Sequence, residues 1–290
     1  MCLPLCLKKM RGLSRREFLT TGLMAAAGAA AGLAKAQAGS AQAESAGGSG
    51  AAGRLPEGFR FTRVVDLTHV LTEDFPTGTG KPQLKLERVA TRPKDRWNIY
   101  RWHIHEHTGT HLDAPLHCSN MDSGNDSADR IPAANLVGPL AVVDLRRKAS
   151  DNPDAELTLD DLKDWEATHG ILPTGAIVAM CSGWDAHVRT ARFRNRGADG
   201  RLHTPGFHKE AVEFLTAERD VKGIVVDTLS LDPGISRDFP VHVHWLGSNR
   251  WGLECAANLG ELPPRGATLV AGGPKIAGAS GGPTRLLALL

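Results

Sequence analysis

The sequence predicts an α/β or α+β domain, with a mixed β-sheet and flanking helices. Short apolar runs of buried-strand length recur at Leu140-Ala-Val-Val-Asp-Leu145, Ala176-Ile-Val-Ala-Met180 and Gly223-Ile-Val-Val-Asp227. Strand-like runs outnumber helical ones, and they are mixed along the chain rather than separated into blocks. About 230 residues remain once a leading targeting segment is set aside, ample for one domain with its own core.

Residues 1–38 read as an export address. The first thirteen are basic (Lys8, Lys9, Arg11), and Ser14-Arg-Arg-Glu-Phe-Leu19 resembles a twin-arginine signal. The weakly apolar run at 22–33 is too short to span a membrane as a mature helix. Ala36-Gln-Ala38 and Ala41-Gln-Ala43 are both small-residue cleavage sites. The expected partner is the twin-arginine export machinery, and the expected destination is the periplasm or beyond. Residues 39–58, rich in Gly, Ala and Ser, are a flexible lead-in, and 59–290 are the folded domain.

The address also accounts for the charge. Lys8, Lys9, Arg11, Arg15, Arg16 and Lys35 leave with it, so Lys plus Arg falls from 34 to 28; Glu17 leaves, so Asp plus Glu falls from 32 to 31. The formal +2 becomes −3, which gives no reason to expect a nucleic-acid or anionic-membrane partner. Cys118, Cys181 and Cys255 remain, an odd number without CxxC spacing. A Cys118–Cys255 bridge is permitted in the periplasm but cannot be read from spacing.

In the body, Phe61-Thr-Arg-Val-Val-Asp-Leu67, residues 84–89 and residues 285–290 also read as strands. Residues 158–169 predict a helix, with Thr158 as N-cap and Asp161 closing a capping box. A second helix is expected over 209–218. No internal repeat and no phosphate-binding glycine loop is expected.

One stretch concentrates chemistry: His107-Thr-Gly-Thr-His-Leu-Asp-Ala-Pro-Leu-His117. Imidazole nitrogens and carboxylate oxygens are good ligands for zinc or manganese. A helix is disfavoured there by Gly109 and two threonines. The expected picture is a strand, 99–106, that runs into a loop bent at Gly109, so that His111 and Asp113 converge on His107 while Pro115 stiffens the exit. His103 and His105 alternate with His107 along that strand. They are either supporting groups or ordinary strand residues, with His103 read as ordinary.

His-x-Gly-Thr-His-x-Asp-x-Pro-x-His resembles the signature of the cyclase family of metal-dependent hydrolases, which includes bacterial kynurenine formamidases and isatin hydrolases. Spacing alone leaves His242 and His244 equally good partners for Glu254. The resemblance selects His242, twelve residues before Glu254 with Leu246-Gly247 between. Val226-Asp-Thr-Leu-Ser-Leu-Asp232 and Ser182-Gly-Trp-Asp185 resemble further family segments, so the likeness covers about residues 62–290.

The resemblance implies a cyclase-like fold, a compact domain with a mixed sheet or open barrel that assembles as homodimers or homotetramers. It implies one or two divalent ions, zinc or manganese. His107, His111 and Asp113 would hold the first, Asp113 would bridge to a second held by His242 and Glu254, and His117 would transfer protons. The implied reaction is hydrolysis of an amide C–N bond, first of an arylformamide. A cyclic amide of the isatin type or a lactone is the alternative, and a non-catalytic periplasmic metal-binding protein the second. Two departures stand out: Cys118 replaces an aromatic residue, and Gly78 replaces the ring expected two residues after Pro76. Phe75 is the nearest substitute for that substrate-binding ring. A serine or cysteine nucleophile is not expected: no Gly-x-Ser-x-Gly elbow is anticipated, and Cys118 beside His117 in sequence is no dyad in space.

Overall fold

The three apolar runs become neighbouring parallel strands at the centre of a mixed nine-stranded sheet. The structure, a computed structural model, describes residues 61–119, 124 and 126–290. They belong to one compact unit, Phe59–Leu290; the export address and the lead-in lie outside the described residues.

In chain order the elements are β1 (Val64–Asp66), β2 (Leu84–Ala90), β3 (Ile99–Ile104), β4 (His111–Asp113), β5 (Val137–Asp144), α1 (Arg146–Asp151), β6 (Glu156–Leu157), α2 (Leu159–His169), β7 (Ala176–Cys181), β8 (Gly206–Phe207), α3 (Lys209–Ala217), β9 (Val221–Val226), α4 (Pro240–Gly247), β10 (Trp251–Glu254), β11 (Arg265–Gly272), β12 (Gly281–Pro283) and β13 (Arg285–Leu289). The sheet runs β1-β13-β11-β5-β7-β9-β10-β4-β12. Strands β5, β7, β9 and β10 are mutually parallel, and both margins are antiparallel. The result is a single α/β domain on a curled half-barrel sheet.

Strand periodicity explains why the central runs are unbroken. Successive side chains point to opposite faces, and here both faces are covered. Ala176, Val178 and Met180 of β7 enter one core with Leu162 and Trp165 of α2, Leu215 of α3 and Trp245 of α4. Ile177, Ala179 and Cys181 enter the other, with Leu112, Leu253, Leu269 and Leu286. Indole N–H groups buried in these cores find carbonyls: Trp165 donates to Val142 at 2.9 Å, Trp245 to Trp251 at 2.8 Å and Trp251 to Asn135 at 2.8 Å. The α2 capping box forms as the sequence predicts. Asp161 N–H donates to Thr158 Oγ1 and Thr158 N–H to Asp161 Oδ2.

The expected strand over 99–106 stops at Ile104. It pairs with β2 in a separate two-stranded arm. One face of the arm carries Leu84, Leu86, Arg88, Tyr100, Trp102 and Ile104; the other carries Lys85, Glu87, Arg101 and His103. Trp102 is 71% exposed. The three cysteines are free, so no Cys118–Cys255 bridge forms.

Candidate metal centre

The two histidine-bearing stretches meet because a sheet register brings them together. Leaving the arm, the chain bends at Gly109, whose φ of +66° suits glycine and where a Cβ would come 2.8 Å from Leu71 Cδ1. It then enters β4, where His111 and Asp113 share one face and Leu112 points into the core behind. Glu254 of β10 stands opposite His111, and Gly281 of β12 stands opposite Asp113. A Cβ on Gly281 would lie 2.7 Å from His107 Cε1, so the glycine makes room for that ring. Pro115 starts a short 3-10 turn that carries His117. His242 comes from the first turn of α4.

The distances are short. His107 Nδ1 lies 2.6 Å from Asp113 Oδ1. His111 Nε2 lies 3.3 Å from both Asp113 Oδ1 and Glu254 Oε2. His242 Nε2 lies 3.1 Å from Glu254 Oε1 and 3.8 Å from Asp113 Oδ2. The rings of His107 and His117 stack with centroids 3.8 Å apart. Two overlapping sets, His107–Asp113–His117 and His111–Asp113–Glu254, each bring their ligand atoms within 4.8 Å of one another, and Asp113 belongs to both.

This donor set fits a divalent cation. Asp113 is fully buried, yet its Oδ2 has no hydrogen-bond partner. Leaving a buried carboxylate oxygen unsatisfied costs about 1–3 kcal/mol or more, and a cation at that oxygen removes the cost. The imidazoles are also turned for ligation. His111 Nδ1 bonds the Gly109 carbonyl at 2.8 Å, and His242 Nδ1 bonds Asp232 Oδ2 at 2.6 Å. Each ring therefore offers Nε2 to the centre.

Comparison with known proteins places this geometry. The Cyclase family model matches residues 65–233. An isatin hydrolase from Roseibium aggregatum is 33% identical over 245 residues, covering 78% of this chain and 91% of that protein. The chain belongs to the cyclase family. The structure of isatin hydrolase A from Labrenzia aggregata, bound to benzyl benzoate, matches with a TM-score of 0.73 at 38% identity, covering 79% of this chain and 93% of that one. A kynurenine formamidase from Salinibacter ruber is 26% identical over 226 residues, covering 77% and 95%. Like these relatives, this cyclase-family member is a hydrolase of carbon–nitrogen bonds.

The cyclase site has a marked internal electrostatic balance. Burial works against charge on His111, but Asp113 and Glu254 override it and hold its pKa up to about 9. His242 is also opposed by burial and is raised well above the ordinary value by Asp232, Glu254 and Asp113. Burial likewise resists ionisation of Asp113, and His111 and His107 more than compensate, holding its carboxyl well below the usual range. His117 goes the other way. Although its edge reaches solvent, crowding by its neighbours pushes its pKa down to about 4; Asp113 opposes this, and His107 and His242 add to it.

Of the residues expected at the site, His107, His111, Asp113, His117, His242 and Glu254 converge. His244 points away and bonds Thr216 Oγ1 at 2.9 Å. His103 is an ordinary arm residue, 2.9 Å from Glu87, and the expected alternation of His103, His105 and His107 along one strand is broken because β3 ends at Ile104. Phe75 is only 4% exposed and packs edge-on to Phe193 at 6.1 Å.

Three supporting groups escaped the sequence reading. Asp232 accepts the N–H groups of Val241 and His242 at 2.8 and 3.0 Å, so one carboxylate both caps α4 and orients the His242 ring. Ser280 Oγ lies 2.9 Å from His107 Nε2 and donates to Glu106 Oε2. Ser280, His107 and Asp113 thus follow the bonding order of a serine triad, and Gly278-Ala-Ser-Gly-Gly282 has the letters of a nucleophile elbow, contrary to expectation. The serine does not act as one here. It precedes strand β12 instead of turning from strand into helix, and its proton is committed to Glu106. The signal available for Asp232 was its place in the segment 226–232, and for Ser280 the Gly-x-Ser-x-Gly letters around it; nothing local marked Glu106.

Proposed function

We propose that this protein hydrolyses the ring amide of a cyclic, isatin-like substrate, using a divalent cation, zinc or manganese, held by His107, His111, Asp113, His242 and Glu254. The observation that carries the metal-dependent reading is the pairing of Glu254 with His111 across the sheet around the unpartnered Asp113 oxygen. The cyclic amide is preferred over the arylformamide expected first from sequence. The isatin hydrolase relative is 33% identical against 26% for the formamidase, and Gly78 leaves the formamidase ring position empty.

Such a cation supplies Lewis acidity and a reactive water at neutral pH. The chain's own residues do the rest. The two ring-oriented histidines and the shared carboxylate fix where the substrate carbonyl sits. His117, whose ring stacks on His107 beside the centre, accepts the proton of the attacking water and returns it to the departing ring nitrogen as the C–N bond breaks. For isatin the product is 2-aminophenylglyoxylate, with one water consumed.

Steady-state kinetics of the metal-loaded protein on isatin and N-formylkynurenine test the choice. The expected result is a higher kcat/KM for isatin, abolished by chelation. A preference for N-formylkynurenine reverses the substrate assignment, and loss-free turnover after complete metal removal sinks the metal-dependent reading.

Two further readings belong to the same proposal. The signal at residues 14–19 supports twin-arginine export, which replacing Arg15 and Arg16 by lysine would block in a fractionation assay. The exposed Leu86, Tyr100 and Trp102 on one face of the β2–β3 arm support a homodimer or homotetramer, because an isolated two-stranded sheet is marginal without cover. Light scattering that returns a monomer would count against it.

A further inference from the structure

Phe239 is held in a conformation its sequence context disfavours. It precedes Pro240, which biases a residue toward extended backbone, yet its φ is 48° and ψ 53°. Bulky residues enter the left-handed region only where surrounding structure enforces it. The enforcement is visible: Ser236 Oγ accepts the Phe239 N–H at 3.2 Å, and the Phe239 carbonyl accepts the first helical bond of α4, from Val243 at 3.0 Å.

The strained residue adds nothing to the cores, where it has no place among the buried clusters, and it is 49% exposed. The ring instead stands edge-on over His242, 6.0 Å between centroids at 87°. His242 is in turn 6.0 Å from the ring of His117, which stacks on His107. Phe239 therefore ends a row of rings, Phe239–His242–His117–His107, that borders the metal centre, and Phe239 itself is open to solvent. Meanwhile Gly78 provides no ring and that of Phe75 is buried.

We propose that Phe239 is the aromatic wall of the substrate site, a specificity-determining residue that selects a planar aryl group next to the scissile carbonyl. The inference rests on the hydrolase reading for the position of the carbonyl, but its test does not depend on turnover. Offset or edge-to-face contact between rings favours an aryl ligand over a saturated ring of similar size by roughly three- to tenfold.

The experiment measures binding of phenylglyoxylate and cyclohexylglyoxylate to the metal-loaded full chain by calorimetry, for the wild type and for Phe239→Leu, with metal content determined alongside. The wild type is expected to prefer the phenyl acid by about three- to tenfold, and Phe239→Leu to bind both alike at unchanged metal stoichiometry. On isatin, the same variant should raise KM more than it lowers kcat. A wild type with no phenyl preference overturns the proposal, as does a variant that keeps it. A variant that loses metal also overturns it, because Phe239 would then serve to hold His242. If the phenyl preference depends on Phe239 but isatin is not turned over, the substrate assignment fails and the aromatic wall stands.

Discussion

Protons compete with the cation at this site, and the competition sets a measurable pH dependence of metal binding. In the cation-free protein His111 is protonated up to about pH 9, because Asp113 and Glu254 outweigh burial, and His242 is raised in the same direction. A cation that binds through Nε2 of both rings must release those protons. At pH 7 His111 alone lies about two units below its pKa of about 9, a roughly hundredfold competition. Apparent affinity should thus rise about tenfold per pH unit for one displaced proton and up to a hundredfold for two, with the His111 contribution ending near pH 9. Calorimetric titration with zinc or manganese in buffers of different ionisation enthalpy counts the protons directly. One to two should be released per ion at neutral pH. An affinity flat from about pH 6 to about 8 with no proton release would show that these imidazoles are not ligands.

The same linkage bears on stability. The folded-state pKa of His111 is raised from 6.5 to about 9, so its ion pairing stabilises chelator-treated protein fully below pH 6.5 and is lost as pH rises through 9, a fall of about 3 kcal/mol that thermal melts should show and metal-loaded protein should not. At saturating metal, His117→Ala should lower kcat by about 10²–10⁴ with metal retained, and full turnover at stoichiometric metal would remove the residue from the mechanism. Asp232→Asn keeps the shape of the cap but not its charge on His242, and chelator competition should show metal affinity weakened about 10- to 100-fold; unchanged affinity would mean that the ring needs no such support. Trp245→Ala removes a fully buried ring from the helix that carries His242 and should cost about 3–5 kcal/mol in denaturant melts, and a loss below about 1 kcal/mol would show that the core on that face repacks.

What could be read from the sequence depended on how local its cause was. Strands β5, β7 and β9 were legible because a strand covered on both faces reads as an uninterrupted apolar run. Helix α2 was legible because Thr158 and Asp161 write its start into four residues. Helix α4 was not. Pro240-Val-His-Val-His-Trp245 alternates at period two, as a strand would, and what makes it helical is a cap from Asp232, outside the segment. Strand β4 was hidden for a related reason. It is three residues long, and two of them are polar and buried, which no hydrophobic pattern announces.

The site divides along the same line. The density of ligands between His107 and His117 is local and could be weighed by spacing, whereas the match of Glu254 to His111 is a property of sheet register, invisible to spacing and supplied by resemblance. Those hidden features share one physical cause. His111, Asp113, His242 and Glu254 are buried polar groups, which folding disfavours unless each is partnered. Here the partners are one another, His107, Asp232 and the backbone of Gly109 and Leu231, with a single oxygen of Asp113 left over. A cluster that satisfies itself except at its shared carboxylate is poorly explained as a stabilising ion-pair network, because buried networks gain nothing from an unsatisfied member. It is well explained as a first coordination shell, whose cost in the folded chain is recovered when the cation arrives.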